Sequence, residues 1–292
     1  MKIIITGSLG NISKPLTQEL VQKGHSVTVI SSKAEKQTEI EALGAAAAIG
    51  SVDDVDFLTS AFTGADAVYA MVPPNFAEPD PMAYYKRIGS NYAQAIGGAG
   101  VKRVVLLSSY GADLDHGTGI ILGAYYVEQL LNKLPGISLT HLRPGYFYYN
   151  LYNFVGMIKE AGFIGANYGG DDKIPMVAPG DIAAAAAEEL QKTTPGITVR
   201  YVVSDDITAN EAAQILGAAI GKTDLKWITF NDEQARQGME QHGMPAGITA
   251  ILVELGAATH SGILRQDYER QLPIEMGKVK LKDFAKEFAA AF

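Results

Sequence analysis

The residues best placed to do chemistry stand at the amino terminus, where two glycines and a serine recur at three-residue spacing in Gly7-Ser8-Leu9-Gly10-Asn11-Ile12-Ser13. Lys2-Ile3-Ile4-Ile5-Thr6 before them reads as a buried strand, and the chain from Lys14 as a helix. A glycine turn in that position lets an anion approach the backbone. The first helical N–H groups then meet it with the positive end of the helix dipole. The spacing is Gly-x-x-Gly-x-x-Ser rather than Gly-x-Gly-x-x-Gly, with Ser13 nearly small enough for the helix to pack closely on the strand. The chemistry implied is pyrophosphate binding at the first βα turn of a doubly wound sheet, where dinucleotides sit. Asn11-Ile12-Ser13 also spells a glycosylation sequon, which in a phosphate loop reads as coincidence.

A second cluster selects among dinucleotides. The corner after the second apolar run, Ser26-Val27-Thr28-Val29-Ile30, is Ser31-Ser32-Lys33. A carboxylate there would grip the adenosine ribose of NAD; two hydroxyls and an ammonium suit a 2′-phosphate instead. NADP(H) is therefore expected over NAD(H), although Glu35 adds an opposing charge and lysine binds phosphate only as a point charge.

Groups able to move a proton are fewer. Tyr110 follows the fifth strand, His116 lies in the glycine-flanked loop Asp113 to Gly119, and Tyr146 opens an aromatic run; these are the three candidates. That run, Tyr146-Phe147-Tyr148-Tyr149-Asn150, offers flat walls to a planar substrate or simply packs a core, and the sequence leaves both readings open. His141 falls inside a strand and reads as structural. Asp53-Asp54-Val55-Asp56 reads as a helix N-terminus in water. No His/Asp/Glu cluster has metal-ligand spacing, and the chain has no cysteine, which excludes disulfides, thiolate sites and a cysteine nucleophile.

The elements that must position these groups alternate. Strands are expected at Ala46–Ile49, Ala67–Val72, Arg103–Leu107 and Leu139–Leu142, with helices at Met82–Ile96 and Gly123–Asn132 between them. This predicts an α/β fold, a Rossmann-type doubly wound parallel sheet with a smaller, mostly helical substrate lobe. The nucleotide domain is expected over 1–150, completed by segments near 174–204, and the substrate lobe over 151–292. Thr208-Ala209-Asn210-Glu211 is a capping box for a helix running to about Gly221. A length of 292 residues supports a substantial core, and the net charge of −8 argues against a general nucleic-acid surface. No apolar run reaches membrane-spanning length, so a cytoplasmic protein without membrane or direct nucleic-acid contact is expected.

With these motifs in hand the chain resembles the NmrA-like group of atypical short-chain dehydrogenases/reductases over nearly its whole length. Thr6-Gly7-Ser8-Leu9-Gly10 is similar to that group's nucleotide loop. Leu142-Arg143-Pro144-Gly145 with the aromatic run is similar to its motif after the sixth strand. Lys173-Ile174-Pro175-Met176-Val177 with Asp181-Ile182-Ala183 is similar to its re-entry into the nucleotide domain. The resemblance implies that Gly7, Ser8, Leu9, Gly10, Asn11 and Ile12 hold the pyrophosphate. It implies that Ser31, Ser32 and Lys33 flank the 2′-phosphate, and Ser51 and Val52 the adenine. Met71, Val72 and Pro73 would flank the nicotinamide ribose, and Pro144, Gly145, Tyr146 and Phe147 the nicotinamide. Gly50-Ser51 replaces the group's usual Gly-Asp, which leaves the adenine contact open. Tyr148, Tyr149 and Asn150 would face substrate.

No tyrosine here has a lysine four residues later; Glu128 stands where the group often has glutamate, and Ala124 where it often has lysine or histidine. Carbonyl reduction by a Tyr-x-x-x-Lys dyad is thereby disfavoured. Hydride transfer to a quinone needs no such dyad, because the product is a stabilised phenolate. The expected function is NADPH-dependent reduction of a quinone-like or other flat electron acceptor. The alternatives are an NADP(H)-sensing regulator acting through a protein partner, and a phenolic-ether reductase whose base the sequence does not identify.

Overall fold

The computed structural model describes residues 1–75 and 78–292. β1 (Lys2–Ile5), α1 (Ser13–Gln22), β2 (Ser26–Ser31), α2 (Gln37–Ala42), β3 (Ala46–Ile49), α3 (Val55–Phe62), β4 (Ala67–Ala70), α4 (Pro81–Ala99), β5 (Arg103–Leu107), α5 (Ile121–Leu131) and β6 (Ser138–Pro144) alternate as expected. After them come β7 (Tyr146–Phe147), α6 (Val155–Ala161), β8 (Ile164–Ala166), β9 (Lys173–Val177), α7 (Pro179–Leu190) and β10 (Gly196–Val202). The chain ends with β11 (Asp205–Thr208), α8 (Ala209–Ala219), β12 (Trp227–Thr229), α9 (Asp232–Gln241), α10 (Ala246–His260), α11 (Gln266–Arg270) and α12 (Leu281–Phe288).

Seven strands form one sheet in the order β10-β6-β5-β4-β1-β2-β3. Lys2 pairs with Ser26 and Ile3 with Ala67, both in parallel register, so β1 lies between β2 and β4. That is the switch point of a doubly wound sheet, where the strand order reverses and a crevice opens at the carboxyl ends. Ile3, Ile4 and Ile5 are fully buried because helices cover both faces of a parallel sheet. Ile4, Val68 and Val104 join Phe62, Ile88, Tyr92, Ile96 and Val127 in one apolar cluster beneath α3, α4 and α5.

The chain divides into two compact units. The first contains 1–109, 123–143 and 182–200; the second contains 110–122, 144–181 and 201–292. The second differs from the expected lobe in its bounds: it begins at Pro144 and takes in the loop 110–122. Beside its helices it carries the small sheets β11-β9-β7 and β12-β8. The segment Lys173–Val177 does not re-enter the large sheet. It pairs antiparallel with β11, and only from Ile182 does the chain rejoin the first unit. Tyr148, Leu151, Ile174, Met176, Leu216, Trp227, Phe284 and Phe288 make the second unit's own core.

Among the described residues no single helix is long and apolar enough to cross a membrane, and no group of three His, Asp or Glu side chains is placed to hold a metal ion.

Candidate functional site: an open glycine turn and a closed acid–base position

The turn after β1 is built around two residues with positive φ, Gly7 at 90° and Ser8 at 53°. A Cβ at Gly7 would lie 2.8 Å from Ser13 Oγ and 2.9 Å from Met71 Sδ, so this position admits only glycine. Ser13 is buried and its hydroxyl donates to Thr6 O at 2.9 Å, stapling the start of α1 to the end of β1. This is the close packing that the third motif position requires. The N-cap of α1 is Ile12, which offers no side-chain acceptor, and the first turn holds no acidic residue. In the same unit α3 and α4 are capped by Asp54 and Asp80. Lys14 N donates to Gly10 O at 3.0 Å and Pro15 carries no N–H, so an external anion would be met by the turn backbone up to Ser13.

A recess of about 270 Å³ adjoins this turn, lined by Gly7, Ser8, Leu9, Gly10, Ser31, Ser32, Lys33 and Lys36. Its walls hold two lysines and no carboxylate. Ser32 and Lys33 are exposed, and the Lys33 ammonium makes no ion pair among the described residues. Ser31 is different: it is buried, accepts from Ser8 Oγ at 2.9 Å and from Lys33 N at 3.2 Å, and so shapes the corner from within. Lys36 was not singled out by sequence. It lies one 3₁₀ turn beyond Lys33, in Ala34–Lys36, and its i,i+3 spacing is the signal that would have found it. Lys36 and Lys14 both pair with Glu39, at 2.7 and 3.1 Å, holding that carboxyl below its usual range. The donor set of glycine-turn backbone, serine hydroxyls and free ammonium charge fits a pyrophosphate with a further phosphate.

The loops after β3 and β4 carry Ser51, Val52 and Met71 to Pro73. Ser51 is exposed and its hydroxyl accepts from Asp53 N at 3.1 Å. Asp54 caps α3 by accepting from Phe57 N, as its charge run implied. Met71 N donates to Thr6 Oγ1 at 2.9 Å, which keys this loop to the glycine turn.

At the end of β5 the geometry is closed. Glu128 on α5 and Arg143 at the end of β6 form a buried bidentate pair, Nε to Oε1 at 3.0 Å and Nη2 to Oε2 at 2.7 Å. Ser108 Oγ donates to the same Glu128 carboxylate. Ser108, Glu128 and Arg143 are engaged with one another, and Ala124 adds neither an ammonium nor an imidazole beside them.

The second unit places the proton-donor candidates differently from one another. Tyr110 is buried, and burial pushes its phenol up to about 12, partly offset by a hydrogen bond with Thr259. Burial likewise raises Tyr146 well above 10, with Tyr168 beside it, and Tyr168 itself rises to about 12. Tyr168 is a member of this phenol group that sequence reasoning missed; it lies between β8 and β9, outside the aromatic run. His116 stands apart, with its side chain 87% exposed and paired to the neighbouring Asp115.

Of the expected substrate walls, Tyr148 is corrected by the structure. It is fully buried, stacked on Phe284 at 5.5 Å, with its hydroxyl donating to Asp205 at 2.6 Å. The 3₁₀ segment Tyr148–Phe154 turns it inward, while Phe147, Tyr149 and Asn150 remain partly exposed. Asn150 lies inside that segment and does not cap α6, whose N-cap is Phe154. Gly145 has no room for a side chain because Pro175 O presses on it.

An NAD(P)H azoreductase of Xenophilus azovorans is 28% identical over 296 residues, covering 99% of each chain. An NADPH-dependent quinone oxidoreductase of Escherichia coli, solved with NADPH, has the same fold at a TM-score of 0.79 and 21% identity, over 98% of this chain and 99% of that one. A triphenylmethane reductase of Citrobacter matches at 0.79 and 21%, over 99% and 100%. The model of the NmrA-like family matches residues 1–254, and the chain belongs to that family.

Proposed function

We propose that the protein is an NADPH-dependent reductase that delivers hydride to a quinone-like or other flat electrophile without a Tyr-x-x-x-Lys dyad. The observation that carries this reading is the uncapped start of α1 opening on a recess with two lysines and no carboxylate. The similarity to the azoreductase supports reduction of a small electron acceptor as the reaction class.

The backbone of Gly7 to Ile12 holds the pyrophosphate, and Ser32, Lys33 and Lys36 the 2′-phosphate. Ser51 and Val52 flank the adenine, and Met71 to Pro73 the nicotinamide ribose. In the second unit Pro144, Gly145, Tyr146 and Phe147 carry the nicotinamide contact, and Tyr149 and Asn150 the substrate contact. When bound, the cofactor supplies the hydride. The chain's own work is orientation and the placing of neutral donors. Tyr110 and Tyr146, kept protonated by burial, donate hydrogen bonds to the oxygen that becomes a phenolate, and water supplies the proton that completes the hydroquinone.

The test is an NADPH fluorescence titration followed by quinone and azo acceptors in the same cuvette. Saturable binding with protein-dependent NADPH consumption is expected. Binding with no turnover on any acceptor would transfer the reading to an NADP(H) sensor acting through a protein partner. Absence of binding would overturn both.

A further inference from the structure

One stripe of α4 reaches the loops that the cofactor reading uses. Tyr84, Arg87, Asn91 and Tyr92 follow the i, i+3, i+7, i+8 pattern of a single helical face. Tyr92 OH donates to Met71 O at 2.6 Å, and Tyr84 OH to Pro73 O at 2.9 Å. Asn91 Nδ2 donates to Val52 O at 3.1 Å and Asp53 O at 3.2 Å, and Arg87 Nε pairs with Asp53 Oδ1 at 2.9 Å. Tyr84, Asn91 and Tyr92 are all buried. Packing alone would be served there by aliphatic side chains; polar donors are needed only because these carbonyls turn inward.

The receiving carbonyls follow β3 and β4, two strands of the crevice end of the sheet. Peptide 71 is held at both its poles, its N–H by Thr6 and its carbonyl by Tyr92. Met71 Sδ occupies the space that a Cβ on Gly7 would need. A shift at Met71 O therefore reaches the glycine turn itself.

We infer that Tyr84, Asn91 and Tyr92 are positioning residues for the dinucleotide. Tyr84 and Tyr92 set the loop at the nicotinamide ribose, and Asn91 sets the loop at the adenine. The inference rests on the NADPH reading above and adds to it a division of labour along α4, in which each half of the cofactor is governed by its own donor.

The experiment measures Kd for NADPH and for adenosine 2′,5′-bisphosphate, which lacks the nicotinamide half, together with the thermal midpoint. Tyr84→Phe keeps the ring, and its hydroxyl bond is only partly buried, so it is the first variant. It should raise the NADPH Kd about fivefold, the worth of one hydrogen bond, and leave the bisphosphate Kd unchanged. Tyr92→Phe should raise the NADPH Kd by at least as much with a lower thermal midpoint, because its acceptor Met71 leads on to the glycine turn. Asn91→Ala should weaken both ligands by similar factors. A fall in thermal midpoint with both constants unchanged in every variant would make the stripe purely structural and overturn the inference. So would an equal loss of both ligands in Tyr84→Phe. If the wild-type protein binds no NADPH, the cofactor reading itself fails and takes this one with it; wild type is measured first, so the two failures are distinct.

Discussion

The ends of β1 and β5 lie in one sheet and follow opposite rules. At β1 the helix that follows has no side-chain cap, and the adjoining recess carries ammonium charge without a carboxylate. At the end of β5 the polar side chains are paired with one another. Ser108 and Arg143 both give their protons to Glu128, and the cluster is almost wholly buried. An open set of donors binds a ligand; a saturated ion pair fixes a backbone and takes no part in proton transfer. The difference supports the proposal of binding at the first site and of an architectural role for the second, and it suits a reaction needing no protein-borne dyad.

The largest effect should come from closing the open end. Gly7→Ala adds a Cβ where φ is 90° and where Ser13 Oγ and Met71 Sδ already stand within 3 Å. The NADPH Kd should rise on the order of 100-fold. Gly100→Ala is the control: φ is 69° at the C-cap of α4 but nothing lies within 4 Å of the added atom. It should cost about 1 kcal/mol of stability and leave NADPH binding alone. Equal losses of binding in the two variants would show that the turn is sensitive to stability and not to shape.

Breaking the closed end should unfold rather than disarm. Arg143→Met leaves Glu128 buried without its partner, a loss of about 3–5 kcal/mol. The thermal midpoint should drop by roughly 10 °C. Glu128→Leu combined with Arg143→Met should recover most of it, together with NADPH binding. If the double variant were stable yet lost NADPH turnover while keeping NADPH binding, the cluster would belong to the chemistry after all.

How much of this contrast is written locally explains what the sequence revealed. The open end is contiguous: strand, glycines and helix fall within twenty residues, and each step has its own periodicity. Ser31-Ser32-Lys33 follows directly from the next strand, and only Lys36, one 3₁₀ turn further, escaped notice. The closed end is not contiguous. Glu128 was matched by position, but its partner Arg143 arrives from β6, and nothing in Leu142-Arg143-Pro144 announces a buried ion pair. Tyr148 failed for the same reason in the other unit. Its neighbours Phe284 and Asp205 lie more than fifty residues away, so an aromatic run looked uniform although one of its rings is core. The α4 stripe was invisible too, because its acceptors are carbonyls and any residue type supplies one.

A smaller perturbation tests the charge-reading end of the recess. Ser32→Glu with Lys33→Ala places a carboxylate where a 2′-phosphate would lie and removes the unpaired ammonium beside it. The NADPH Kd should rise at least about tenfold, with NADH affinity unchanged or improved. An unchanged NADPH Kd would separate the recess from the phosphate altogether. The thermal midpoint should hardly move, since both side chains are exposed.

The smallest predicted effect reads the neutrality of the closed end. His141 is buried on β6, with Nε2 at 2.8 Å from Asn132 Oδ1. Its pKa is lowered below 6.5, first by burial; Glu128 pulls it up and Arg143 pushes it down. The two charges of the ion pair oppose each other at the imidazole, so desolvation decides. Because the folded ring refuses a proton that the unfolded chain accepts, the stability this position contributes is present above about pH 6.5 and is lost as pH falls through the lowered folded value. The thermal midpoint should decline on acidification from pH ~7 to ~5, and less steeply in His141→Gln, which keeps a donor for Asn132. Arg143→Met should flatten the part of that decline that His141 contributes: with Glu128 left alone, the imidazole gains a counter-charge and its pKa moves up toward the unfolded value. A His141 titration followed by NMR in the two backgrounds reads this directly. An identical imidazole pKa in both would mean that the Arg143 charge is not felt at the imidazole and that the opposed charges play no part there.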